Sequence, residues 1–258
     1  MTGWDTLDAE LERWQADGCT ATFWWRDDDA GRSMPALDRL LSLASNLDAP
    51  LGLAVIPITL DDLAVRRIAA APLAAIMLHG LAHRNHARDR EKKSEFPSSR
   101  GVGPMLDDLR YGLDLLRASF AGRALSILVP PWNRVAPALI FLLPSIGLSG
   151  LSRCLARDGA MAAPGLRQVN CHVDLIDWPG TRGFVGVEEA LGLMVRHLKA
   201  RRTGAVDTDE PTGLLTHHLA HDEACWAFLN ELLPMLTHHP AVRIVAPAEL
   251  FPEAAHER

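Results

Sequence analysis

Three adjacent carboxylates, Asp27, Asp28 and Asp29, directly follow an apolar and aromatic run in the segment FWWRDDDAG. Aspartate is depleted in strands, and neighbouring like charges repel each other. A regular strand would send Asp28 and Asp29 to opposite faces, whereas a turn would let both reach one site. There one carboxylate could bind a cation, which keeps both ionised, while its neighbour remains a free base. The alternative is a helix N-cap with solvated neighbours.

A pair of histidines four residues apart, His79 and His83 in the segment HGLAH, is the second candidate for chemistry. On a helical turn their β-carbons would lie about 5–6 Å apart on one face, which suits two imidazoles on one divalent metal. Ordinary solvated histidines would explain an isolated pair equally well. Two histidines with one carboxylate form a recognised facial ligand set that leaves positions for water and substrate. Zinc is the first expectation, and other divalent first-row metals fit the same ligands.

The framework that must position these residues alternates short apolar runs with longer amphipathic ones. The sequence predicts strands at 20–25, 51–57, 74–79 and 125–132, and weaker ones at 147–151, 168–173, 213–216 and 242–245. It predicts helices at 5–16, 34–47, 60–70, 104–120, from 135 onwards, at 187–201 and at 222–237. Seven or eight strand–helix units in 258 residues favour a distorted (β/α)7-8, TIM-like barrel in one domain over 1–258. An open doubly wound sheet is the alternative.

Polar clusters follow five of the predicted strands at the carboxyl end, where parallel α/β folds place their chemistry. The clusters are Asp27–Asp29, HGLAHRNH from His79, VPPWNR from Val129, DLIDW from Asp174 and THH from Thr216. Five clusters in this order resemble the motifs of the polysaccharide deacetylase (NodB-homology) family of carbohydrate esterases. The resemblance extends from Phe23 to about Asp222.

The first two motifs of that family imply a base and three metal ligands. By this resemblance Asp28 is the general base, and Asp29, His79 and His83 bind a divalent metal ion. The alternative register uses Asp27 as base and Asp28 as ligand. The segment HGLAH departs from the family pattern at Gly80, where a hydroxyl residue is usual.

The third motif is matched only in part. The segment VPPWN supplies Pro131 and Trp132 but lacks the arginine that normally orients the base. Arg26 or Arg134 could take its place. Trp132 and Trp178 are predicted substrate contacts, because flat apolar rings suit the faces of sugars, and ordinary core packing is the alternative. Arg134 is a further predicted substrate contact.

The fourth and fifth motifs imply a general acid and a carboxylate behind it. The segment LTH makes His217 the acid, and a shift of one residue would bring His218 to the site instead. The segment DLIDW offers Asp177 to hold His217 in its useful tautomer, with Asp174 an equal candidate. The loop 84–102 could be a lid that carries Lys92, Lys93 and Glu95 to the substrate, or a charged surface loop.

The resemblance implies metal-dependent hydrolysis of an N-acetyl or other acyl group from a sugar or oligosaccharide. The alternatives are an amidase on a small non-sugar substrate and a non-catalytic sugar- or metal-binding relative.

With 26 Lys and Arg against 32 Asp and Glu, the net charge of −6 makes nucleic acid an unexpected partner. No apolar run predicts a membrane span, and the acidic N-terminus does not resemble a signal peptide, so we expect a cytoplasmic location. The four cysteines lack metal or redox spacing, which is typical of reduced thiols.

Overall fold

A computed structural model of the protein describes residues 2–252 as a mostly parallel β-sheet with surrounding helices. Its strands are β1 Ala21–Ala30, β2 Leu51–Val55, β3 Ala74–Leu78, β4 Ala124–Leu128, β5 Gly150–Leu151, β6 Met161–Ala163, β7 Leu166–Gln168, β8 Val173–Asp174, β9 Thr212–Thr216 and β10 Val242–Ile244. Its α-helices are α1 Gly3–Ala16, α2 Pro35–Asn46, α3 Asp62–Ala69, α4 Val102–Ser119, α5 Pro137–Ile140, α6 Val187–Arg202, α7 Glu223–His238 and α8 Pro247–Leu250. None of the helices within 2–252 is long and apolar enough to cross a membrane.

The sheet curls into the predicted barrel. Its strand order is β6-β7-β5-β4-β3-β2-β1-β9-β8, with β10 beside β1, and only the β6–β7 pair is antiparallel. The segment 166–174, which contains β7 and β8, pairs with β5 on one side and with β9 on the other. A further bridge between Cys154 and Cys171 extends the β5 pairing. The two ends of the sheet therefore meet, and the expected (β/α)7-8 architecture is confirmed over the open-sheet alternative.

Strand β1 is the central strand of this sheet and is buried on both faces. Trp24 points into the barrel, where its indole N–H donates to the Asn170 carbonyl at 2.9 Å. Trp25 points to the helices on the outer side, and its indole N–H donates to Thr216 Oγ1 at 2.9 Å. The predicted strand ended at Trp25, but β1 continues to Ala30 because the backbone of the acidic residues still pairs with β2 and β9.

The middle of the chain differs from the prediction at two points. The helix expected from residue 135 is only the short α5, followed by a 3-10 turn at Leu143–Ile146, because Pro144 cannot donate to a continuing helix. The β6–β7 hairpin was not predicted. Its turn contains Pro164 followed by Gly165 at φ +75°, a pair that favours a type II turn and was a readable signal.

Barrel closure leaves no room for a side chain at residue 213. A β-carbon on Gly213 would lie 2.5 Å from the Asn170 carbonyl oxygen and 2.7 Å from Cys171 Cα, both backbone atoms of the closing segment.

We expect Gly213→Ala to lower the free energy of unfolding by about 2 kcal/mol or more, measured by urea denaturation. The control Gly103→Ala, in α4 with open space around it, should be neutral or stabilising by up to about 1 kcal/mol. Equal effects of the two substitutions would contradict this account of closure.

Candidate functional site

The three consecutive aspartates face three different environments because β1 is irregular at its end. The pairing of β1 with β2 shifts register between Asp27 and Ala30, and Asp29 adopts φ +70°. Asp27 points to the outer side, where it accepts from Thr216 Oγ1 at 2.6 Å and forms an ion pair with His218. Asp28 and Asp29 both reach the inner side. The irregular end of β1 thus lets Asp28 and Asp29 reach one site, as the sequence predicted a turn would.

Asp29 meets the two predicted histidines. Its Oδ1 lies 3.1 Å from His79 Nε2 and 3.3 Å from His83 Nε2. The ligand atoms of these three residues, here called the Asp/His cluster, all lie within 4.8 Å of one another. Burial opposes ionisation of Asp29, but the hydrogen bond and charge of His79 hold its pKa below the usual range.

The protonation of His79 shows that the Asp/His cluster suits a cation. His79 Nδ1 lies 2.8 Å from the Val129 carbonyl oxygen, which can only accept, so Nδ1 carries the proton. In the neutral ring Nε2 is then a lone pair that faces the Asp29 carboxylate, another acceptor. Two acceptors at this distance require a proton or a cation between them. Burial also lowers the pKa of His83, which favours the neutral imidazole that metals bind.

The HGLAH segment reaches this geometry without the helical turn that the spacing suggested. Gly80 has φ +63° and His83 has φ +51°, so two residues of this segment adopt the left-handed conformation and the segment forms a loop. The buried Glu95 carboxylate supports the loop by accepting from the Leu81 N–H at 3.3 Å and the Ala82 N–H at 2.8 Å. A β-carbon on Gly80 would collide with Glu95 Oε2, which explains why no hydroxyl residue stands there.

A buried arginine holds Asp28. Arg26 precedes it by two residues on the same face of β1, and its Nη2 donates to Asp28 Oδ2 at 3.0 Å while Nε lies 2.9 Å from Oδ1. Ser152 Oγ and Asn133 Oδ1 accept from the same guanidinium at 2.7 Å and 2.8 Å. Burial disfavours the charge of Arg26, yet the neighbouring Asp28 carboxylate holds the pKa of the Arg26 guanidinium above its ordinary value. Of the two substitutes considered for the missing motif arginine, Arg26 contacts Asp28, whereas Arg134 donates to the Lys93 carbonyl.

His217 lies between two carboxylates. Its Nε2 is 3.9 Å from Asp28 Oδ2, and its Nδ1 is 3.8 Å from Asp174 Oδ1. Asp174 also accepts from the Trp178 indole N–H at 3.0 Å, and the Trp178 ring stands edge-on to the imidazole at 4.7 Å. Burial raises the pKa of Asp174. A small approach of Asp174 would complete a hydrogen bond to Nδ1.

The structure corrects one sequence-based choice and separates one pair of alternatives. Asp177 is not beside His217, because its carboxylate accepts from the Gly180 N–H at 3.2 Å and the Thr181 N–H at 3.1 Å and so closes a tight turn. Asp174 occupies the position that was offered to Asp177. His218 faces Asp27 on the outer side of the sheet, so His217 is the histidine that reaches the inner side.

A cavity of about 440 Å³ lies at the carboxyl ends of the strands and contains the site. Its lining comprises Asp28, Asp29, His79, His83, Lys93, Trp132, Asn133, Arg134, Asp174, Trp178, Arg182 and His217. The predicted substrate contacts Trp132, Trp178 and Arg134 are all present, and the Trp132 ring lies 4.3 Å from that of His83. Sequence reasoning missed Asn133, Ser152 and Arg182. Asn133 adjoins Trp132 in the third cluster and could have been found there, whereas Ser152 and Arg182 carry no motif.

A second group of possible ligands lies at the opposite end of the barrel. His172, His197 and Glu210, here called the basal cluster, bring ligand atoms within 4.8 Å of one another. The Gly213 N–H donates to His172 Nδ1 at 2.9 Å, so the proton of the neutral ring sits on Nε2 and points to Glu210 at 3.3 Å. That nitrogen is a donor and offers no lone pair to a metal. Glu210 also accepts from the Asn170 N–H at 2.8 Å, so the basal cluster fastens the segment that closes the barrel.

Comparison with known proteins identifies the fold. No protein-family model matches the chain, and no curated protein matches it. A protein from Mycobacterium smegmatis described as a candidate polysaccharide deacetylase aligns at 15% identity over 91% of this chain and 90% of its own, with a TM-score of 0.66. A family 4 acetyl xylan esterase from Clostridium thermocellum, in complex with cobalt, aligns at 15% identity over 89% and 90%, with a TM-score of 0.53. A wild-type CE4 family pseudoenzyme from Bacillus anthracis aligns at 12% identity over 91% and 66%, with a TM-score of 0.57. At these identities the likeness establishes a shared fold, and the predicted resemblance is confirmed at that level.

The basal cluster should make the protein sensitive to acid. Burial lowers the pKa of His197 to about 2 and also lowers that of His172, from an ordinary value of 6.5. Above pH 6.5 both rings are neutral in the folded and the unfolded chain. Below it only the unfolded chain gains protons, so the free energy of unfolding falls by up to about 1.4 kcal/mol per pH unit for each ring.

We therefore expect His197→Gln to flatten the decline of the unfolding free energy between pH 6.5 and about pH 4.5. Urea denaturation at a series of pH values measures that slope. His238→Gln, on the exposed end of α7, is the matched control and should keep the wild-type slope. An unchanged slope in His197→Gln would show that this imidazole does not resist protonation.

Proposed function

We propose that the protein is a metal-dependent hydrolase that removes an N-acetyl or other acyl group from a sugar or oligosaccharide. The observation that carries this proposal is the convergence of three units at one cavity. The Asp/His cluster could bind a divalent cation, the Arg26–Asp28 pair offers a fixed carboxylate, and His217 offers an imidazole backed by Asp174. The fold shared with carbohydrate esterases supports the same reaction class.

In this proposal Asp29, His79 and His83 hold the metal, which when bound would polarise the acyl carbonyl and a water molecule. Zinc is the first candidate. Asp28 accepts a proton from the attacking water, and Arg26 holds that carboxylate in its orientation.

His217 acts as the general acid. Its Nε2 faces the inner side and would protonate the leaving nitrogen or oxygen of the substrate. Its Nδ1 is buried without a hydrogen-bond partner in the described residues, and Asp174 is the acceptor closest to it. When Nε2 carries the proton to be donated, a charged Asp174 stabilises the imidazolium. Trp178 keeps Asp174 in place through its indole N–H.

The alternative of a non-catalytic relative rested on the missing motif arginine. Arg26 contacts Asp28 from within β1, so that reason no longer favours it. One structural neighbour is a pseudoenzyme, and this fold is therefore compatible with loss of activity. We favour the enzyme because base, ligands and acid all line the same cavity. Location in the cytoplasm stays a prediction.

Removal of the metal and of the base should have separable effects. A chelator should abolish deacetylation of N-acetylated sugars, and zinc or cobalt should restore it. Asp28→Asn should lower kcat by about 10²–10⁴-fold and keep the bound metal, because a side-chain amide at this position cannot accept the proton. Asp29→Ala should lose the metal as well as the activity. Activity assays paired with metal analysis of each purified variant distinguish these outcomes.

Asp8→Asn, an exposed substitution in α1, is the control and should behave as wild type. Activity that survives full metal removal would refute the metal-dependent mechanism. Wild-type kcat in Asp28→Asn would exclude that residue as the base. Activity on simple amides without activity on acetylated sugars would select the amidase alternative.

Glu95 should support metal binding through the HGLAH loop. Its carboxylate accepts from two backbone N–H groups between His79 and His83. Glu95→Gln keeps the size but replaces one acceptor oxygen by a donor, which faces those N–H groups. We expect the affinity for zinc to fall by about 10–100-fold, measured by competition with a chromophoric chelator. Glu91→Gln, an exposed position of the same loop, should retain wild-type affinity, and equal affinities of the two variants would contradict the role of Glu95.

A further inference from the structure

We propose that the substrate carries an anionic group, a carboxylate or a phosphate ester, beside the acyl group that is removed. The group would be bound by Lys93, Arg134 and Arg182, here called the cationic rim. This inference rests on the proposed hydrolase function and adds a substrate class to it. All three side chains line the cavity that contains the Asp/His cluster.

The carboxylates of the cavity leave the cationic rim unneutralised. Asp28 is paired with Arg26, and Asp29 with the two histidines of the Asp/His cluster. Asp174 accepts from the Trp178 indole and from the Ile176 N–H. Within residues 2–252, no ion pair involves any member of the rim. Three free cations at one cavity favour an anionic ligand.

Two members of the rim are held together on one side of the cavity. Arg134 Nη1 donates to the Lys93 carbonyl at 2.9 Å, and Ser94 Oγ donates to the Arg134 carbonyl at 3.2 Å. Phe96 and Val135 add a parallel backbone bridge further along the two segments. The loop 84–102 is therefore fastened at Lys93 and is not a free lid in this structure. Glu95, which a lid would have carried to the substrate, is buried beneath the HGLAH loop instead.

The third member approaches from the DLIDW side. Arg182 adopts φ +59° in the turn that the Asp177 carboxylate closes, and its N–H donates to the Asp177 carbonyl at 2.8 Å. Its guanidinium carbon lies 5.9 Å from the centre of the Trp178 ring. A planar guanidinium can bind a carboxylate or phosphate through two parallel N–H groups, and the neighbouring indole can cover a sugar face. The rim thus combines charge recognition with the apolar contact predicted for Trp178.

Binding of matched sugars to the zinc-loaded protein tests the inference. The probes are N-acetylglucosamine, its 6-phosphate, and its 3-lactyl ether, which adds a carboxylate. We expect at least one anionic probe to bind about tenfold or more tightly than the neutral sugar at low salt, and high salt should reduce the difference because the rim is exposed. Titration calorimetry or ligand-observed NMR provides affinities that do not depend on turnover. Preference for the phosphate or the carboxylate identifies the source of the charge.

Lys93→Gln, Arg134→Gln and Arg182→Gln should each weaken binding of the anionic probe by about 3–10-fold, and Lys93→Gln and Arg182→Gln should leave binding of the neutral sugar within about twofold. Arg66→Gln, an exposed arginine of α3 outside the cavity lining, is the matched control and should change neither affinity. Equal affinities for the neutral and anionic probes, or no binding of either anionic probe at about 10 mM, would overturn the proposal that the cationic rim binds an anionic group. Hydrolysis that depends on the metal and Asp28 would then still support the proposed function. Anion binding that depends on the rim, without hydrolysis of any acetylated sugar, would instead overturn the hydrolase.

Discussion

The irregular end of β1 is the constraint on which the site depends. Three carboxylates in a row would repel one another if they shared one environment, and a regular strand would put the outer two on one face and the middle one on the other. The register shift and the positive φ of Asp29 let Asp28 and Asp29 share the inner side, while Asp27 remains outside. Each carboxylate then has its own cationic or hydrogen-bonding partner, which makes the triplet tolerable.

The Arg26–Asp28 pair illustrates how the barrel interior makes a charged group useful. A buried ion pair adds little net stability, but loss of one partner leaves an uncompensated charge that costs about 3–5 kcal/mol. Ser152 and Asn133 occupy further donors of the guanidinium, so Arg26 is fixed from β1, from the segment after β5 and from the turn after β4. This arrangement orients Asp28 from beneath, where the substrate does not compete for the arginine.

Much of the fold and part of the site could be read from the sequence, because they depend on short-range patterns. Alternating apolar runs predicted the order of strands and helices. Polar residues at strand ends predicted where the site lies, and the resemblance of their motifs to carbohydrate esterases implied the roles of Asp29, His79, His83 and His217. The choice between Asp174 and Asp177 depends on a tight turn whose hydrogen bonds no pattern encodes. The sequence offered Arg26 and Arg134 as substitutes for the motif arginine. The choice of Arg26 depends on side chains more than 100 residues away, such as Asn133 and Ser152, so it required the folded barrel.

The Asp27–His218 pair connects the candidate site to the outer side of the sheet through the chain. Asp27 and His218 adjoin Asp28 and His217 in the chain, yet they lie on the outer side of the sheet and are not among the residues that line the cavity. An adjustment of α2 or of the turn after β9 that moves this pair would also displace Asp28 and His217. Substitutions in the outer layer would therefore change the positions of these two side chains while the residues that line the cavity stay the same.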